Sequence, residues 1–203
     1  NPDEFIPLAE SSGLINELGR WVLQQACIYC AQQRRQGFSN LRVAVNLSAV
    51  QFKDGYLQNA VETALQQAGL PPEALELELT ESLFIDETDQ ILKQLNALSE
   101  LGITIAIDDF GTGYSNLGYL RNFNASILKI DRSFITSLCI AEHDEPLVQA
   151  IINMAASLGL KTVAEGIEDE ATLKKLVALG CDIGQGYYCS KPMPGDALSE
   201  LLH

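Results

Sequence analysis

Apolar residues recur three and four positions apart in some stretches of the chain and alternate with polar ones in others. Ile91, Leu92, Leu95 and Leu98 form one helical stripe, and Leu147, Val148, Ile151, Ile152 and Ala155 form another. An earlier helix is predicted over residues 12–35, with Ile15, Leu18, Trp21, Val22 and Ala26 on one side. Four junctions repeat one pattern: Ala68-Gly69-Leu70, Leu101-Gly102-Ile103, Leu158-Gly159-Leu160 and Leu179-Gly180-Cys181. Glycine just past a helix is the usual left-handed stop. Strands are predicted at 42–47, 75–80, 103–108, 126–131, 161–165 and 182–187. They alternate with helices at intervals of roughly 20–35 residues, the rhythm of a parallel sheet. The breaks fall in loops near 110–115 and 142–146, so the chain reads as one domain over residues 1–203.

Side chains alternate along a strand, so each strand splits by face. Val43, Val45 and Leu47 oppose Ala44 and Asn46; Leu75, Leu77 and Leu79 oppose Glu76 and Glu78. Ile103, Ile105 and Ile107 oppose Thr104, Ala106 and Asp108; Leu128 and Ile130 oppose Ile127, Lys129 and Asp131. One face is greasy. The other is small or polar, and its polar members gather at the C-terminal ends. An open sheet covered on both sides would be apolar on both faces. A (β/α)8 TIM-like barrel instead has an interior face and carries its chemistry at the C-terminal strand ends. The barrel fits, but about six of eight strands can be counted, so it is expected to be incomplete at the N-terminus.

Composition narrows the chemistry. Thirteen basic against 27 acidic residues leave a net charge of −14. That argues against nucleic acid, whose phosphates need Lys and Arg, and against direct contact with an anionic membrane. No apolar run reaches the roughly 18–20 residues of a membrane span. With only His143 and His203, a Ser-His-Asp triad or a His-rich zinc site has little support. Five cysteines, an odd count with no leader in the sequence, suggest a reduced, cytoplasmic protein. Cys27-Ile28-Tyr29-Cys30 has C-x-x-C spacing but no second pair, and reads as two small helix residues in or near the core.

The strand ends supply Asn46, Glu78, Asp108 with Asp109, Lys129, Glu165 and Gln185. Carboxylates converging with an amide and a lysine suit a hard cation, Mg2+, Mn2+ or Ca2+. Adjacent Asp108 and Asp109 could let one carboxylate bridge two ions, the standard device for phosphodiester hydrolysis. Taken singly, an acid near a strand end is usually a cap or a solvated loop group. Glu76 reads as structural, Asp131-Arg132 as a local ion pair, and Lys161 and Lys191 as surface lysines. Placement at the same end of successive strands lifts the set above those readings.

These residues carry a resemblance. Asn46-Leu47-Ser48, Glu78-Leu79-Thr80-Glu81-Ser82, Asp108-Asp109-Phe110-Gly111-Thr112-Gly113-Tyr114-Ser115, Leu128-Lys129-Ile130-Asp131-Arg132, Ala164-Glu165-Gly166-Ile167-Glu168 and Asp182-Ile183-Gly184-Gln185-Gly186-Tyr187 resemble, in order, the motifs of the EAL-domain cyclic-di-GMP phosphodiesterases. The resemblance implies a (β/α)8-type barrel hydrolysing cyclic-di-GMP to linear pGpG with two Mg2+ or Mn2+ ions. By motif position, Asn46, Glu78 and Asp108 would bind one ion, and Asp108 and Asp109 the other. Glu165 would be a ligand or the base for the attacking water. Lys129 would orient that water or stabilise charge on phosphate. Gln185 would fix water or support a ligand, with Asp131 and Glu168 as further supporting or substrate-contacting residues. Glu81 would hold the loop from Phe110 to Ser115, implicated in a homodimer contact and in coupling to an upstream sensor or GGDEF-type domain.

Phe5-Ile6-Pro7-Leu8-Ala9-Glu10 resembles the segment following the family's Glu-Ala-Leu motif, which is itself absent from this chain with the strand before it. That motif's Glu is a metal ligand in the family. A non-catalytic module that binds cyclic-di-GMP or a partner protein is therefore the alternative reading. An enolase-like lyase also uses strand-end carboxylates, Mg2+ and lysine, but the ordered motif agreement disfavours it.

Overall fold

A computed structural model describes residues 1–53, 55–84, 89–112, 124–136, 138 and 144–202. Cys139, His143, His203 and the part of the 110–115 loop after Thr112 lie outside the described residues. The elements are α1 (Pro2–Ser12), α2 (Ile15–Arg35), β1 (Val43–Leu47), α3 (Leu57–Ala68), β2 (Leu75–Thr80), α4 (Asp89–Glu100) and β3 (Thr104–Phe110). There follow β4 (Ile127–Ile130), α5 (Arg132–Thr136), α6 (Asp144–Ser157), β5 (Lys161–Ala164), α7 (Glu170–Leu179), β6 (Ile183–Gly184) and α8 (Gly195–Leu202). The six strands follow chain order in the sheet, and every described pairing is parallel. The α/β reading therefore holds.

The chain forms two compact units. One comprises Asn1–Leu79, Asp86–Ile105 and Gly195–His203. Its core includes Leu23, Val61, Ala64, Leu75, Leu77 and Leu98. Val43 pairs with Leu75 and Leu47 with Leu79 along β1 and β2. The other comprises Thr80–Ile85 and Ala106–Pro194. Ala106, Ile127 and Val163 form a buried cluster there, among Ile107, Leu128, Ile130, Val148, Ala155 and Leu176.

All four anticipated glycine stops carry positive φ: 64° at Gly69, 93° at Gly102, 73° at Gly159 and 85° at Gly180. Other expectations need correction. The helix expected over 12–35 begins at Ile15, after a separate helix α1 that includes Pro7. An interior proline normally removes a backbone donor and clashes with the preceding turn, so this segment does not announce itself as helix. The buried ladder of α2 is Ile15, Gly19, Leu23, Cys27, Cys30 and Ala31, which leaves Trp21 60% exposed. Bulk misled the reading, because the small residues Gly19 and Cys27 face the core. In α6, Leu147 is exposed while Val148, Ile151, Ile152 and Ala155 are buried. Cys27 and Cys30 are buried and free, and burial pushes the Cys27 thiol up to about 11, with Cys30 adding to the rise. Such thiols behave as inert core groups. No described helix is long and apolar enough to cross a membrane.

Candidate active site

The second unit assembles a charged cluster around Lys129. All four residues of β4 are buried, and Lys129 is only 3% exposed. Its Nζ donates to Asp108 Oδ1 at 2.9 Å and to Glu165 Oε1 at 2.8 Å. Oxygens of Asp108, Asp109 and Glu165 all lie within 4.8 Å of one another.

A regular strand would send Asp108 and Asp109 to opposite faces. The ladder prevents this. Ile107 pairs with Leu128 and Phe110 with Ile130, so the two aspartates stand against Lys129 alone. That count is a β-bulge. Asp109 takes the left-handed conformation with φ 54°, which Asp tolerates better than most residues. Its amide donates to Asp108 Oδ1 at 3.1 Å, and its carbonyl accepts from Thr112 Oγ1 at 2.9 Å. Just beyond, Glu81 Oε2 accepts from the Gly111 amide at 3.0 Å. Gly111 has φ 100°, and a Cβ there would lie 2.7 Å from the Phe134 ring. Glu81 thus holds the start of the anticipated loop. Glu165 leaves β5 with its amide donating to Ile130 O at 3.2 Å, which brings its carboxylate beside Lys129.

Three carboxylates face one lysine in this cluster. Burial, followed by the charges of Asp108 and Asp131, pushes the Asp109 carboxyl up, and Lys129 only partly opposes the rise. The all-oxygen donor set and its surplus of negative charge fit a hard divalent cation. Asp131 accepts hydrogen bonds from the Ser133 amide and hydroxyl and so caps α5; the expected local ion pair with Arg132 is not found among the described residues. Glu168 is exposed. Gln185 is also exposed, with its backbone fixed by Ala164 and Ile167.

In the first unit, Asn46 and Glu78 are register partners on β1 and β2. Glu78 is buried and Asn46 exposed. Glu76 pairs with Arg42 at 3.4 Å, the structural role anticipated for it, and Lys161 and Lys191 are exposed as expected. The sequence reading assigned no role to Glu10, Ser48 or Gln51. Ser48 and Gln51 form a capping box at the turn after β1, and their S-x-x-Q spacing was the available signal.

The family model for the EAL domain matches residues 1–192. The chain is 46% identical over 201 residues to the cyclic di-GMP phosphodiesterase NbdA of Pseudomonas aeruginosa, covering 99% of this chain and 26% of that protein. It is 45% identical to the bifunctional diguanylate cyclase/cyclic di-GMP phosphodiesterase MucR of the same organism, over 97% of this chain and 29% of that protein. It thus spans about a quarter of the length of the curated relatives it matches. A solved structure described as the PaMucR phosphodiesterase in complex with c-di-GMP superposes with TM-score 0.93 at 45% identity, covering 98% of this chain and 80% of that one. The α/β fold is therefore that of the barrel-like EAL structures, and the chain belongs to the EAL domain family.

Proposed function

We propose that this chain is the phosphodiesterase domain of a bacterial signalling protein, hydrolysing cyclic-di-GMP to linear pGpG with two Mg2+ or Mn2+ ions. The observation that carries this reading is the buried Lys129, paired with Asp108 and Glu165 beside Asp109 at the strand ends. The relatives named as cyclic di-GMP phosphodiesterases support it. By motif position Asn46, Glu78 and Asp108 would hold one ion, and Asp108 and Asp109 the second. Bound there, such ions would supply the Lewis-acid chemistry of phosphodiester hydrolysis. Glu165 is a further ligand or accepts the proton of the attacking water at its carboxylate. Lys129 fixes Asp108 and Glu165 and offers its cationic Nζ to charge developing on phosphate. Gln185, Asp131 and Glu168 support ligands or touch substrate.

The domain works in the cytoplasm as one EAL-type unit. It pairs with a second copy through the 110–115 loop. It is coupled to a sensor or GGDEF-type domain, a reading that the much longer relatives support. Its charge of −14 suits a free dinucleotide held through cations better than nucleic acid or a membrane surface.

The test is pGpG release from cyclic-di-GMP with Mn2+, for the parent and for Asp108→Asn. The substitution is expected to cost at least ~100-fold in rate. Undiminished turnover in excess chelator would sink the two-ion reading.

A further inference from the structure

We infer that Glu10, in the last turn of α1, is a positioning residue that acts through Ser48 to fix the turn beyond Asn46. Glu10 is half-buried, and its Oε1 accepts from Ser48 Oγ at 2.6 Å. Ser48 follows β1 directly and stands two residues past Asn46. The hydroxyl's single proton goes to Glu10, and its oxygen accepts from the Val50 amide at 3.2 Å. The Ser48 amide donates to Gln51 Oε1 at 2.9 Å. Gln51 is 7% exposed, and its Nε2 lies 2.2 Å from where a Cβ on Gly19 would stand. The turn is therefore fastened to α1 by Glu10 and packed against α2 through Gln51.

The placement of Glu10 breaks a local rule. A carboxylate in the last helical turn faces the negative end of the helix dipole. Such violations tend to mark positions kept for function. The short charge-assisted bond to Ser48 offsets the cost and aims the turn. Asn46 is exposed on its strand, so the turn that follows it sets how firmly its amide is held. Residues that orient a ligand in this way typically govern metal affinity by about 10–100-fold. The inference rests on the proposed role of Asn46 in ion binding.

The test uses the whole chain as parent, Glu10→Ala, Glu10→Gln, Ser48→Ala and the Glu10→Ala/Ser48→Ala double variant. Mn2+ affinity is measured by calorimetry and amide exchange at Val50 by NMR. Glu10→Ala and Ser48→Ala should each weaken Mn2+ binding about tenfold. The double variant should be no worse than either alone. Glu10→Gln, whose amide oxygen still accepts from Ser48, should keep most of the affinity. Val50 exchange should quicken in Glu10→Ala, Ser48→Ala and the double variant, and stay near the parent rate in Glu10→Gln. Unchanged affinity and exchange in Glu10→Ala, or additive losses in the double variant, would overturn the inference. If the parent binds no Mn2+, the ion-binding role fails, and the Val50 exchange rates alone decide whether Glu10 locks the turn.

Discussion

In a buried strand, two carboxylates reach the Lys129 Nζ at 2.8 and 2.9 Å. Removing one partner of such a pair costs more than the pair contributes, because the remaining charges stay buried without a counter-ion. Lys129→Met, which keeps most of the volume, should therefore destabilise the metal-free chain by about 3 kcal/mol. Denaturant unfolding measures this. Added Mn2+ should restore part of the loss by supplying positive charge to Asp108 and Glu165. An unchanged unfolding midpoint would show that the carboxylates do not depend on the lysine. Most of this residue-scale picture was legible in the sequence: polar residues at successive strand ends named Asp108, Lys129 and Glu165 together. Asp109 was named with them as well, but the means of its convergence was not legible, because period-two alternation sends neighbours apart. It takes the bulge opposite Lys129 and the φ of 54° to reunite them. Those are properties of the ladder, which a single strand's sequence does not contain.

At the scale of elements, glycine stops were the clearest signal, because a left-handed backbone is a local demand that glycine meets most readily. Faces of helices were harder to assign. Gly19 and Cys27 lie on the buried side of α2 while Trp21 is exposed, so side-chain size pointed to the wrong face. The turn between α7 and β6 shows how a polar residue fastens elements. Asp182 Oδ2 accepts from the Thr162 amide at 2.8 Å and from its hydroxyl at 2.9 Å. The Asp182 amide donates back to that hydroxyl at 3.1 Å. These bonds, the Thr162 amide first, hold the Asp182 carboxyl below the usual carboxylate range. A folded-state pKa below the unfolded one, near ~3.9, adds stability above that value, and the gain is lost as pH falls through the folded pKa. Asp182→Asn should cost about 1 kcal/mol at pH 7, given that the site is open to solvent. The gap between parent and variant should stay flat down to about pH 5 and close below about pH 4. A gap independent of pH across that window would mean that shape, not charge, holds the turn.

The molecule as a whole carries 27 acidic and 13 basic residues, and part of the surplus is concentrated where Asp108, Asp109 and Glu165 meet. Self-repulsion of that charge weakens the compact state, and an unfolded chain relieves it by dispersing the carboxylates. A divalent ion that binds only the assembled cluster must therefore stabilise the fold by mass action. At a free concentration one hundred times its dissociation constant, the gain is about 2.7 kcal/mol. For a chain of this size that corresponds to a rise of roughly 5–10 °C in thermal midpoint. General screening predicts something different: sodium chloride at matched ionic strength would raise the midpoint equally. Only site binding makes the response selective for Mn2+ or Mg2+ over sodium and abolishes it in Asp108→Asn/Asp109→Asn. That double variant also breaks the Asp108–Lys129 pair, so each protein's Mn2+ response is read against its own metal-free midpoint. Thermal unfolding of both proteins, with and without Mn2+, separates the two explanations. An equal rise with sodium chloride, or an undiminished Mn2+ response in the double variant, would make the acidic surplus a bulk property and not a built ion site.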